Sequence, residues 1–199
     1  EDEFSVTVKR EKITVDNVPY YGMVNESTGY IRLSDFTTKA GKEVGVAVKK
    51  LKNEGATKMI LDLRGNPGGL LDEAIKVSNV FVEKGREIVS TKGKLETWTK
   101  QYKSQMDAVD TEIPLAVLID NGSASASEIV SGVMQDYDRG VLIGRRTFGK
   151  GLVQQTRPLA YNSQLKVTTA KYYIPSGRCI QAIDYSHRNP DGSVGKIPD

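Results

Sequence analysis

Leu115-Ala116-Val117-Leu118-Ile119-Asp120-Asn121-Gly122-Ser123-Ala124-Ser125-Ala126-Ser127-Glu128 is the stretch on which the reading of this chain turns. The apolar run 115–119 is short and ends on an Asp-Asn-Gly turn signal, so it reads as a buried strand. Beyond Ser125, residues Ile129, Val130, Val133, Met134 and Tyr137 fall at helical spacing. A buried strand handing the chain to a helix through a short polar loop is the building unit of an α/β fold. The first N–H groups of a helix lack intrahelical partners and carry partial positive charge. A serine at that point can therefore be a nucleophile with an anion-stabilising donor beside it. The same residues also fit a plainer purpose, because Ser125-Ala126-Ser127-Glu128 matches S-x-x-E, the capping box, in which serine only satisfies backbone donors.

The strand–loop–helix unit recurs upstream. Met59-Ile60-Leu61-Asp62-Leu63 leads into Arg64-Gly65-Asn66-Pro67-Gly68-Gly69 and then a helical pattern over 70–83, with Leu71, Ala74, Ile75, Val77 and Phe81 as core contacts. Glycines allow backbone N–H groups to come close to a ligand. Gly68 is thus expected as a second oxyanion donor beside the N–H of Ala126, although a tight strand-to-helix turn would use the same composition. Further upstream, a strand at 30–33 precedes a helix over 37–54, whose Val44, Val48 and Leu51 share one face and which Gly55 ends. Residues 93–110 turn polar around Trp98 and Tyr102 and read as an irregular or helical excursion near the cleft. Residues 164–173 alternate as a strand that pairs with its predecessor through 160–163. The opening segment 4–15 also alternates and reads as a hairpin.

A serine nucleophile needs a base, and the single histidine, His187, lies in a polar, turn-rich tail that reads as solvated loop. Lysine is the next candidate, as in Ser-Lys variants of the catalytic triad. Phe148-Gly149-Lys150-Gly151 presents one lysine between glycines, just after the apolar run 140–143. A lysine amine titrates near ~10.4 in water, and making it a base near neutrality takes about 4 kcal/mol of differential stabilisation. Burial is the ordinary source of that energy, so Lys150 is expected in a water-poor pocket. If 150–155 is extended, Lys150, Leu152 and Gln154 share one face, and Gln154 can aim its amide oxygen at the amine. Asp136 follows Ser125 by about three helical turns and falls on the same stripe of the helix. It is either an anchor behind the site or an exposed residue at the helix end.

Gly144-Arg145-Arg146-Thr147-Phe148-Gly149-Lys150 also fits G-x-x-x-x-G-K, the phosphate loop. Gly151 stands where a magnesium-binding Ser or Thr belongs, and the residues that follow read as a strand rather than a helix, which argues against nucleotide binding. Cys179 is alone, so no internal disulfide forms, and without a His/Cys cluster neither metal nor organic cofactor is expected.

The three blocks 61–69, 123–129 and 147–151, in that order and with 25 residues from Ser125 to Lys150, resemble the carboxy-terminal processing peptidases, or tail-specific proteases. The resemblance runs from about residue 29 to 183. It implies an α/β crotonase-like ββα spiral, with Ser125 as nucleophile, Lys150 as general base and Gln154 orienting the lysine. Asp136 matches an acidic position the family requires. Ser123 and Ser127 flank the nucleophile and are not expected to attack substrate. The oxyanion donors implied are Ala126 and a glycine of the Gly68-Gly69 pair.

Family members usually carry a PDZ domain ahead of the catalytic core, and none is found here. Residues 1–28 are accordingly expected as the β linker or hairpin that follows a PDZ domain, and residues 29–199 as the catalytic domain, cut short at its end. The partners implied are polypeptides with accessible C-terminal tails and the PDZ domain of a parent chain. The place of action implied is the bacterial cell envelope or periplasm.

Composition agrees. The 199 residues, 38% hydrophobic, can bury one good core. No apolar stretch approaches the ~20 residues of a membrane span, and no secretory signal opens the chain. The 28 basic and 25 acidic residues are interspersed, giving a net charge of +3 and no basic patch that would argue for nucleic acid. The resulting expectation is a serine endopeptidase working through an acyl-enzyme. A crotonase-like acyl-CoA enzyme and a catalytically silent peptide-binding scaffold are the other classes left open.

Overall fold

The computed structural model describes residues 3–11, 13 and 15–197. Its main sheet has the order β1-β2-β3-β6-β7. These strands are β1 (Tyr20–Asn25), β2 (Thr28–Arg32), β3 (Lys58–Asp62), β6 (Leu115–Ile119) and β7 (Val141–Gly144). Strands β1 and β2 form an antiparallel hairpin, whereas β2, β3, β6 and β7 run parallel. Parallel neighbours require crossover connections, and helices supply them: α1 (Ala40–Asn53), α2 (Leu71–Phe81) and α3 (Ala126–Asp136). A second, antiparallel sheet of order β5-β4-β9-β8 holds β4 (Glu87–Gly93), β5 (Lys100–Lys103), β8 (Leu152–Pro158) and β9 (Gln164–Tyr173). A small ribbon of β10 (Ile183–Arg188) and β11 (Val194–Lys196) follows.

The elements follow from their apolar periods. Val44, Val48 and Leu51 of α1 are all fully buried, each such side chain contributing roughly 1.5–3 kcal/mol. The helix begins at Ala40 rather than at 37 because Lys39 sits at φ 82. The buried Glu73 of α2 then accepts the N–H of Gly41 at 2.9 Å, which satisfies one of the unpaired donors of the first turn. Gly55, at φ 102, ends the helix as its residue type suggests. On α3, Ile129, Val130, Val133 and Met134 are buried as their spacing requires.

Two expectations are corrected. The first concerns the opening segment: the described residues of 3–16 form no strand, and Phe4, Val6 and Val8 are 86%, 69% and 80% exposed. An isolated two-stranded hairpin is marginal without a surface on which to bury its apolar face. The first hairpin is instead β1–β2, which crosses residue 28. The second concerns 93–110, where a 3-10 turn (Glu96–Trp98) leads into β5, a strand paired with β4. Its alternation is too short to register as a strand by pattern. The β8–β9 hairpin forms through 160–163 as expected, with Tyr161 and Asn162 both at positive φ.

The fold gathers the three sequence blocks in one place. Loops 63–70, 120–125 and 145–151 leave the carboxyl ends of the parallel strands β3, β6 and β7, where open α/β sheets collect ligands and reacting groups.

Candidate active site

Ser125 is the residue immediately before α3, with φ 56 and ψ −109. That region corresponds to the first central residue of a type II′ turn and is ordinarily left to glycine. Holding a serine there costs of order 1–3 kcal/mol and persists only where surrounding contacts enforce it. The contacts are visible. Asp120 Oδ1 accepts the N–H groups of Gly122 and Ser123 at 2.9 and 3.1 Å, and that of Gly65 in the neighbouring loop at 2.9 Å. These donors hold the Asp120 carboxyl below its usual range.

Asn66, fully buried, welds the same two loops. Its carbonyl accepts the Ala124 N–H at 3.0 Å and the Ser127 hydroxyl at 3.0 Å, and its Nδ2 donates to the Leu33 carbonyl at 2.8 Å. Ser123 is equally committed, its hydroxyl donating to the Leu63 carbonyl at 2.8 Å. Ser123 and Ser127 are both 0% exposed, whereas Ser125 is half-buried. Of the three serines, Ser125 alone is partly open to solvent.

Gly68 lies against this turn. A Cβ on it would stand 2.5 Å from the Ala124 oxygen, 2.8 Å from the Ala126 nitrogen and 2.8 Å from Ser125 Cβ, and its φ of 95 also favours glycine. One detail differs from the sequence-based assignment. The Gly68 N–H is already donated to Asn66 Oδ1 at 2.9 Å. Among the described residues no acceptor engages the N–H of Gly69 or that of Ala126.

The lysine loop is fastened on both sides. Phe148 N–H donates to the Ser123 carbonyl at 3.0 Å. The carboxylate of Glu128, 5% exposed, accepts the N–H groups of Gly149 (Oε1, 2.6 Å) and Lys150 (Oε2, 2.8 Å), together with that of Ser125 (Oε2, 2.7 Å). On the other side, Ala182 N–H donates to the Gly149 carbonyl at 3.1 Å and Gln181 Oε1 accepts the Gly151 N–H at 2.9 Å. A Cβ on Gly149 would collide with Ala182, and one on Gly151 with the Gln181 backbone, which is why Lys150 stands between two glycines.

The side chains are less converged than the backbones. Lys150 is exposed, not buried as the sequence-based reading requires. The Glu128 carboxylate pins its loop from within while the other face meets solvent. No hydrogen bond or ion pair engages Lys150 Nζ among the described residues. Gln154, on β8, is exposed and makes no hydrogen bond to Lys150. Asp136 lies at the far end of α3, where its Oδ2 accepts the Ser176 N–H at 2.8 Å and its Oδ1 faces Arg178 at 3.5 Å. It fastens the turn after β9 and does not reach Ser125 through any hydrogen bond. His187 is a surface residue paired with Asp184 at 2.7 Å.

Glu128, Asn66 and Gln181 were not singled out as site residues by sequence. Only Glu128 carried a signal, the last letter of S-x-x-E. The chain after Lys150 is strand β8, so no helix N-terminus follows to cradle phosphate. Among the described residues no helix is long and apolar enough to cross a membrane, and no group of three His, Cys, Asp or Glu side chains is placed to hold a metal ion.

Comparisons agree with this architecture. The carboxy-terminal-processing protease of Bartonella bacilliformis is 44% identical over 182 residues, covering 89% of this chain and 41% of that protein. A probable CtpA-like serine protease of Staphylococcus aureus is 38% identical over 179 residues, covering 90% of this chain and 36% of the relative. The chain thus spans about two-fifths of the length of these relatives. Among solved structures, a photosystem II D1 C-terminal processing protease superposes with a TM-score of 0.75 at 30% identity, over 86% of this chain and 47% of that one. With the model of peptidase family S41 matching residues 27–191, the chain belongs to that family.

Proposed function

We propose that this chain is the catalytic segment of a serine-type peptidase that cleaves polypeptides near their C-termini. The observation that carries the reading is Ser125, held at φ 56 at the start of α3 beside the unengaged N–H of Ala126. Such a strained turn at a helix start presents a hydroxyl to substrate with a donor alongside.

In the proposed mechanism Lys150, neutral, takes the proton of Ser125 Oγ as that oxygen attacks the scissile carbonyl. The oxyanion is held by the N–H of Ala126 and by the Gly68–Gly69 loop, where the Gly69 N–H is the uncommitted donor and the bare Gly68 permits close approach. Collapse returns the proton from the lysine to the leaving amine and leaves an acyl-serine. Water, deprotonated by the same lysine, then releases the new carboxylate and the serine. Gln154, which makes no hydrogen bond to Lys150 in the free chain, is proposed to orient the lysine once substrate is bound, and Asp136 steadies the turn after β9.

Substrate is proposed to bind extended. Strand β8 is an edge strand that starts just after Lys150, so a polypeptide can add to it as one more strand. A bound polypeptide would also shield Lys150 from water, supplying the desolvation absent from the free chain. By family resemblance, the segment is proposed to belong to a parent protein that carries a PDZ domain and acts in the bacterial cell envelope. The Ser-Lys chemistry needs neither metal nor organic cofactor.

Casein turnover by wild type, Ser125→Ala and Lys150→Ala tests the reading. Both substitutions are expected to lower kcat by about 1,000-fold or more. Cleavage that survives both overturns the dyad, and acyl-CoA hydrolysis without any peptidase activity would favour the crotonase-like alternative.

A further inference from the structure

We infer that Glu128 is the positioning residue that sets nucleophile and base at their working separation, an inference that rests on the peptidase reading above. One buried carboxylate accepts from three backbone donors, two of them in a loop 21 and 22 residues further along the chain. A helix cap needs only the bond to the Ser125 N–H. The bonds to Gly149 and Lys150 lie outside any capping role, and they join the turn of the nucleophile to the loop of the base. Because Ser125 and Lys150 donate to the same oxygen, their backbone nitrogens are less than two hydrogen-bond lengths apart.

The chemistry demands a carboxylate here. Glutamine has one accepting oxygen and one donating NH2 group. If the NH2 replaces Oε1, it faces the Gly149 N–H. If it replaces Oε2, it faces both Ser125 and Lys150. In either orientation at least one donor of the lysine loop loses its acceptor and meets another donor. Aspartate keeps the charge and can still cap α3, but it is one methylene too short to hold both loops.

The test has two readouts. In Glu128→Gln, amide hydrogen exchange at Gly149, Lys150 or both should quicken by about tenfold, the equivalent of one net hydrogen bond, while Val130 and Val133 inside α3 exchange as in wild type. Casein kcat should fall by about 100-fold with KM within about twofold, the pattern of a displaced catalytic group rather than lost substrate binding. Should Glu128→Gln fail to fold, Glu128→Asp carries the same two expectations with the helix cap intact. Unchanged exchange at both loop amides, or a wild-type kcat despite faster exchange, overturns the inference. Ser125→Ala and Lys150→Ala separate the two proposals. If these two still cleave casein, the peptidase reading fails. If they are dead while both Glu128 variants remain fully active, only the positioning role fails. The exchange readout decides the clamp independently of turnover.

Discussion

Gly68 presses its unsubstituted Cα against Ser125, so closely that a methyl group there would lie 2.8 Å from Ser125 Cβ. The contact joins the carboxyl-end loops of two adjacent parallel strands, and it explains why a glycine at φ 95 stands opposite a serine at φ 56.

Gly68→Ala adds both a steric clash and a φ penalty. It should lower stability by about 1–3 kcal/mol and peptidase activity by about 100-fold. Gly65 is the internal control, since its φ is 70 and nothing lies within 4 Å of a Cβ placed there. Gly65→Ala should cost about 1 kcal/mol and leave turnover nearly intact. Urea denaturation and casein assays on both variants decide the matter, and equal losses in the two would contradict the packing argument.

Asn66 is buried with both ends of its amide engaged, by the Leu33 carbonyl and the Gly68 N–H. Asn66→Ala should destabilise by about 1–3 kcal/mol through the unpaired groups it leaves. Asn66→Asp should be worse near neutral pH, because a carboxylate would then face the Leu33 carbonyl in a fully buried site. A melting temperature for Asn66→Asp at or above that of Asn66→Ala would disprove this account.

Acid should unfold the protein partly through Asp62. Burial pushes its carboxyl up, but the Arg64 guanidinium and N–H and the Tyr30 hydroxyl outweigh that and hold it below the usual 3.8. A carboxyl depressed in the folded state contributes stability that is present above the unfolded value and lost as pH falls through the folded one. Asp120, held down by its loop N–H groups, acts in the same sense. Urea midpoints should therefore be nearly flat near neutrality and fall below about pH 4. Asp62→Asn should be less stable at neutral pH and show a shallower acid limb. Parallel acid limbs for the two proteins would remove Asp62 from the explanation.

Much of the framework was legible from spacing. The apolar faces of α1, α2 and α3, the buried strands β3 and β6 and the β8–β9 hairpin sit where period 3.6 or period 2 put them. The glycines around Lys150 and in 65–69 also announced tight turns. Sequence did not reveal β5, whose four residues lack a full alternation, nor the absence of strand among the described residues of the opening segment, whose alternation implies a strand only if a partner surface exists.

The residues that could carry chemistry, Ser125 and Lys150, were set by the primary structure, because a serine before a helix and a lysine between glycines are local patterns. Whether their loops come together was not. That depended on three parallel strands ending at one edge of a sheet, on Asn66 joining the first loop to the second, and on Glu128 joining the second to the third. It was also the packing that left Lys150 exposed and committed the Gly68 N–H to Asn66. Local periodicity records how a segment hides its own apolar face, whereas hydrogen bonds between loops far apart in the chain leave no period to read.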